Sequence, residues 1–246
     1  MNSVVFGLSM RQLAARRRTL AIVLLAIVPV LLALVAQLSG ERITQPDWTV
    51  NTLFQSVVIG IVLPLVALVL GTAALGTEFE EGTALYLLSK PIPRSTIVAA
   101  KLVASWLVTS AIVVATTVVS GAIALAGEGH VEVIVGFAAG SIGGALVYCA
   151  LFLMLSIVTS RALIAGLFYV FIWEGIVTGL FRGTRVLSVR EYTLSLGDLL
   201  AGTPDAVFDP RVGAGVAIAM IVIVTAATTW YGIRALERWE LKGETG

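Results

Sequence analysis

Six stretches of this chain are too long and too apolar to be left in water, and they decide what it can fold into. They cover residues 19–38, 53–74, 97–126, 131–158, 162–181 and 212–233. A helix needs roughly 20 apolar residues to cross the hydrocarbon core of a bilayer. Lipid offers no partner to a bare N–H or C=O, so only helices and closed barrels span it. Barrel strands alternate polar and apolar over about 10 residues, and these stretches do not alternate. The expectation is an all-α membrane protein of six transmembrane helices, a single transmembrane domain over residues 1–246. Composition agrees: 58% of residues are hydrophobic and 13% are charged, against about 25% charged in soluble domains. The net charge of +1 gives no reason to expect a nucleic acid partner. One cysteine, Cys149, cannot form a disulfide within the chain, and one histidine, His130, rules out a multi-histidine metal site.

Orientation follows from the Lys and Arg residues, which concentrate on the cytoplasmic side. With the N-terminus inside, the inner segments hold Arg11, Arg16, Arg17, Arg18, Lys90, Arg94, Lys101, Arg161, Arg234, Arg238 and Lys242. The outer ones hold Arg42, Arg182, Arg185, Arg190 and Arg211. This is 11 against 5, which accounts for all 16 and predicts both termini in the cytoplasm. The first stretch is longer than the 7–15 residues of a signal-peptide core, so it is expected to remain as a span. Before it, Phe6, Met10, Leu13 and Arg17 recur at helical spacing beside Arg11, Arg16 and Arg18. Residues 1–18 therefore suggest a basic amphipathic helix in the inner headgroup layer, the alternative being a frayed tail with orienting arginines.

The link between the second and third spans, residues 76–95, carries the most chemistry. Glu78, Glu80 and Glu81 form an acidic patch where the positive-inside bias would place cations, which suits a basic protein surface better than anionic lipid. Gly82 and Thr83 open a short apolar helix over 84–88, and Pro91 and Pro93 end it. The order Glu81-Gly82-Thr83, Leu87-Leu88, Pro91, Arg94 and Lys101 resembles the permease family of the ABC type-2 exporters. The basic N-terminal helix, the six spans and the long segment before the last span extend the resemblance over nearly the whole chain.

The resemblance implies a transmembrane permease subunit in the plasma or inner membrane, paired with a second permease chain as a homodimer. It implies that Glu78, Glu80, Glu81, Gly82, Thr83, Leu87, Leu88, Pro91, Arg94 and Lys101 form a coupling segment that docks on a separate ABC ATP-binding subunit. ATP and Mg would then be bound by that partner, with no cofactor in this chain. Consistent with this, the sequence has no G-x-x-x-x-G-K-[ST] phosphate loop; Lys90, Lys101 and Lys242 are its only lysines, and none follows a glycine. No catalytic or metal-binding residue is assigned, and His130 has no buried nucleophile to serve an intramembrane enzyme. An ion-coupled secondary transporter is the alternative, but such proteins carry several buried charges near the midplane, and here only Glu174 qualifies.

Glu174 lies inside the fifth span, where an ionisable group costs about 2.5–3.5 kcal/mol on insertion scales. It is expected to face the transport route or a subunit interface, or to bond a neighbouring helix; an interfacial place is open if the span is shorter. Gln55, Phe168, Tyr169, Phe171 and Trp173 join it as candidate pathway or interface residues. Gly136-x-x-x-Gly140-x-x-x-Gly144 and Gly175-x-x-x-Gly179 permit close helix approach, expected mainly within the chain. Pro29 and Pro64 are expected to kink the first two spans. In the outer segment 182–211, Ser188-x-x-Glu191 has capping-box spacing. After it Val189, Tyr192, Leu196 and Leu199 share one face of a short helix, which either caps the outer end of a pathway or lies on the outer leaflet.

Overall fold

The computed structural model describes residues 16–39, 46–80, 93–127, 130–202, 207–208 and 210–243, and among them every regular element is helical. Helix α1 is Arg16–Leu38. Helix α2 runs without a break through three geometries: an α-turn Pro46–Trp48, a π-helical stretch Thr49–Val62 and an α-helix Leu63–Glu80. Helices α3 and α4 are Arg94–Ala124 and Val131–Val158. Helix α5 is again composite, with Ala162–Phe168 α-helical, Tyr169–Val177 π-helical and Thr178–Leu180 α-helical. A 3-10 turn, Arg182–Leu187, leads to α6, Val189–Ala201, and α7 is Ala214–Gly243. Among the described residues six helices, α1 to α5 and α7, are long and apolar enough to cross a membrane. The interfacial helix expected over residues 1–18 lies outside the described residues except for its last three.

A helix that is apolar all round belongs in the interior, and α4 shows this. It packs against α2, α3, α5, α6 and α7. Phe137, Ala145, Val147, Tyr148, Cys149 and Phe152 on α4 are fully buried. Ring contacts line it from end to end: Phe54 to Phe137 at 5.5 Å, Phe137 to Phe208 at 6.0 Å, Tyr148 to Phe152 at 5.9 Å and Phe152 to Tyr169 at 6.2 Å. The apolar windows of α2 and α4 are 72% and 61% buried, against 22% for α1, 22% for α5 and 17% for α7. So α2 and α4 form the centre, and α1, α5 and α7 turn long apolar faces outward. Helix α1 buries little beyond Ile22, Ala33 and Ala36, lying along α3 and α2.

Candidate functional site

The segment after α5 does not stay at the surface. Thr184 Oγ1 donates to the Val177 carbonyl at 3.3 Å, and Trp173 Nε1 donates to the Leu187 carbonyl at 3.4 Å. The 3-10 turn therefore runs back alongside the end of α5. Helix α6 then leaves in the opposite direction, seated along α4. A Cβ placed on Gly136 would strike the backbone of Ala201, one on Gly144 would strike Thr193, and one on Gly140 would come within 2.6 Å of Gly197 Cα. The pairings 136/201, 140/197 and 144/193 make the two helices antiparallel. One turn before Thr193, the start of α6 is level with Tyr148, about 25 Å along α4 from Val131 at 1.5 Å per residue. Hence α6 begins deep in the bilayer and rises toward the end of the bundle that carries His130.

A helix that begins at such depth creates a problem, because its first four N–H groups have no partner within the helix. Water would normally meet them, and non-helical backbone at membrane depth is tolerated only when buried in protein. Two side chains solve it. Ser188 is the N-cap, and its Oγ accepts from the Glu191 N–H at 3.3 Å. Glu174, 5% exposed, supplies the anion: its Oε1 accepts from the Val189 N–H at 2.8 Å and from the Tyr169 hydroxyl at 3.0 Å, while its Oε2 accepts from the Ser188 hydroxyl. Hydrogen bonds to charged groups are worth about 1.5–3 kcal/mol each, and a helix N-terminus favours negative charge. Together these offset the cost of burying the carboxylate. Thr178 Oγ1 donates to the Glu174 carbonyl at 2.8 Å, fixing the backbone from below.

A second tie leaves the same turn toward α2. Arg190 Nη2 donates to the Gln55 carbonyl at 3.1 Å, and its guanidinium lies over Gly60, where an added Cβ would sit 3.5 Å from Arg190 Cζ. Both ties attach inside π-helical stretches, a geometry that is uncommon and frequent at functional sites. Among the described residues, Arg185 Nε, Arg190 Nε and the hydroxyl of Tyr148 are buried near this turn with no well-formed hydrogen bond. Tyr148 is fully buried and within electrostatic reach of Glu174, Tyr169 and Arg190. At its other end α6 stops at Gly202, whose left-handed backbone (φ 60°) forms the usual glycine C-cap. Arg211 Nη1 reaches the buried Glu191 at 3.4 Å and ties α6 to the approach of α7.

The structure thus brings Glu174 together with Tyr169, Ser188 and Val189, and brings Gln55, by its backbone, to Arg190. It does not bring Phe168 and Phe171 into this cluster: they are 61% and 56% exposed on the outward face of α5. Trp173 is half-buried over the 3-10 turn. Gly175 and Gly179 also face outward, with no other helix against them among the described residues. Of the coupling segment, Glu81, Gly82, Thr83, Leu87, Leu88 and Pro91 lie outside the described residues; Glu78 and Glu80 lie in the last turns of α2. Arg94 opens α3 behind Pro93, and Lys101, one of its buried residues, is only 2% exposed. Sequence reasoning did not single out Tyr148 or Tyr169's bond to Glu174, and placed Arg190 on the outer side. The signal for the seat of α6 was present as Thr193, Gly197 and Ala201, small residues four apart that match the three glycines of α4.

The family model for "ABC-2 family transporter protein" matches residues 4–200. No curated protein matches the chain. The chain belongs to the ABC-2 transporter family: it is a multi-pass membrane protein of the permease type found in ABC transporters.

Proposed function

We propose that the chain is the pathway-forming permease of an ABC exporter, working as a pair of identical chains with one separate ATP-binding subunit beneath each. The observation that carries this is the family match over 4–200 on a chain with six spanning helices. The absence of a phosphate loop from its sequence leaves ATP and Mg to the partner. The chain does no covalent chemistry; ATP binding closes the partner pair, and the membrane helices shift in response. The membrane is the plasma or inner membrane, with both termini and the 76–95 link in the cytoplasm and His130 outside. Glu78, Glu80 and Glu81 set the orientation of the partner, and Leu87 and Leu88 anchor it. Lys101, being buried, acts from within the bundle by holding the start of α3, with Arg94 at its end. An ion-coupled mechanism gains no support from Glu174, because three donors already occupy its carboxylate.

The test is co-purification of the ATPase from the native membrane at low and high salt. Glu80→Lys with Glu81→Lys should weaken recovery in a salt-sensitive way, since charges at an interface steer and orient more than they hold. Leu87→Ala with Leu88→Ala should weaken it at every salt concentration, by roughly 2–5 kcal/mol if each leucine is buried as in a core. Wild-type recovery for both pairs would remove the coupling role from this segment. ATP hydrolysis by the purified chain free of any partner would remove the permease assignment.

A further inference from the structure

Helix α6 is held in two different ways. Along α4 it is seated by tight contacts at three glycines, two against its backbone and one against the Thr193 side chain, which fix the two helices as one body. Toward α5 its first turn is held through one carboxylate, that of Glu174, accepting from Ser188 and Val189. Toward α2 it is held by the Arg190 bond to the Gln55 carbonyl. Close packing cannot be exchanged for anything else. Hydrogen bonds can, because water replaces them at little net cost once it arrives.

The same cluster contains the partner that Glu174 would take next. Tyr148, on α4, is fully buried, and its hydroxyl, which makes no well-formed hydrogen bond, already lies within reach of a carboxylate bonded to Tyr169, Ser188 and Val189. A buried hydroxyl without a well-formed bond is a cost this conformation carries. If the first turn of α6 withdrew, the Tyr148 hydroxyl could donate to Glu174 in its place, so that the carboxylate would be bonded in both conformations and never bare.

We propose that Glu174 is a positioning residue for transport: it holds the first turn of α6 deep in the bilayer, closing the half of the bundle on the His130 side, and the cycle opens that half by passing the carboxylate from Ser188 and Val189 to Tyr148. The role in transport rests on the permease reading; the hold on α6 belongs to the chain alone.

The experiment uses the full chain in its native membrane, with Cys149→Ser and a single reporter, Ser195→Cys, which replaces a side chain 1% exposed on α6. A membrane-impermeant methanethiosulfonate is added from the His130 side and the labelling rate is read. Glu174→Leu should raise the rate roughly tenfold, the scale of losing an anion from a buried helix N-terminus. Returning the charge by Glu174→Gln with Ser188→Asp should bring the rate back toward the parent. Tyr148→Phe, which removes the alternative partner, should lower it. A merely structural role for Glu174 would not make these two sites act in opposite directions. Ser105→Cys, at a buried α3 site, is the control. If it also labels in Glu174→Leu, that variant has unfolded, and the milder Ser188→Ala decides.

Unchanged Ser195→Cys labelling in both Glu174→Leu and Ser188→Ala overturns the hold, and faster labelling in Tyr148→Phe overturns the exchange. In membranes where an ATPase co-purifies, ATP should raise labelling of the parent; a flat response there overturns the role in the cycle. If no ATPase co-purifies while the labelling order stands, the permease reading fails and the hold survives.

Discussion

Two glycine stripes with the same spacing end in opposite situations. On α4, Gly136, Gly140 and Gly144 are filled by α6 so closely that a single added carbon would strike the backbone of α6 at the first two and the Thr193 side chain at the third. On α5, Gly175 and Gly179 face out of the chain, and a Cβ at Gly179 would meet nothing within 4 Å. The spacing states only that a close approach is permitted; the neighbour is chosen elsewhere in the chain. For α4 it was chosen by Thr193, Gly197 and Ala201, which repeat the spacing on the approaching helix. Among the described residues α5 has no such counterpart, so its stripe is left to lipid or to another molecule. The expectation that both stripes serve packing within the chain holds for the first and not for the second.

The sharpest way to break this comparison is to fill both stripes equally. Gly140→Val should lower the stability of the purified chain by about 3 kcal/mol, the upper end of overpacking costs, read as a fall in thermal midpoint in detergent. If Gly140→Val proves harmless, α6 is not seated on α4. Next in size is the cap that starts the seated helix. Ser188→Ala removes the acceptor for the Glu191 N–H and a donor to Glu174, and should cost about 1 kcal/mol in the same assay. Gly179→Val should stay within about 0.5 kcal/mol of the parent, as surface changes do. Measuring the mass of the detergent-solubilised particle for this variant sharpens the contrast: the proposed dimer is expected to persist if the stripe faces lipid, and its loss would assign the stripe to the second copy.

The spans were legible because length and apolarity alone set them, and the capping box was legible because Ser188 and Glu191 are close in sequence. What was not legible was depth. Arg182, Arg185, Arg190 and Arg211 make the segment after α5 look like an outer loop, and Tyr192, Leu196 and Leu199 give its helix a face suited to a surface. The structure leaves Leu199 53% exposed, yet buries Tyr192 fully and lays Leu196 over Gly143, with Thr193 and Gly197 set against the glycines of α4 between them. Glu174 was conspicuous as a charge inside a span, yet its partners, 14 and 15 residues later, are visible only once the chain is known to turn back. The π-helical stretches carry no signal in the periodicity, since i→i+5 bonding differs from an α-helix by a single residue per turn.

The pairing of α4 with α6 also sets an order of events during synthesis. Gly140 leaves the ribosome 57 residues before Gly197, which is roughly 3–11 seconds at typical elongation rates. Throughout that interval the most deeply packed helix of the bundle has its groove turned to lipid or to the insertion machinery, and α5 must already be threaded before the groove can close. A ribosome paused near residue 188 would hold the chain at its most vulnerable point, with five spans made and the groove along α4 still empty.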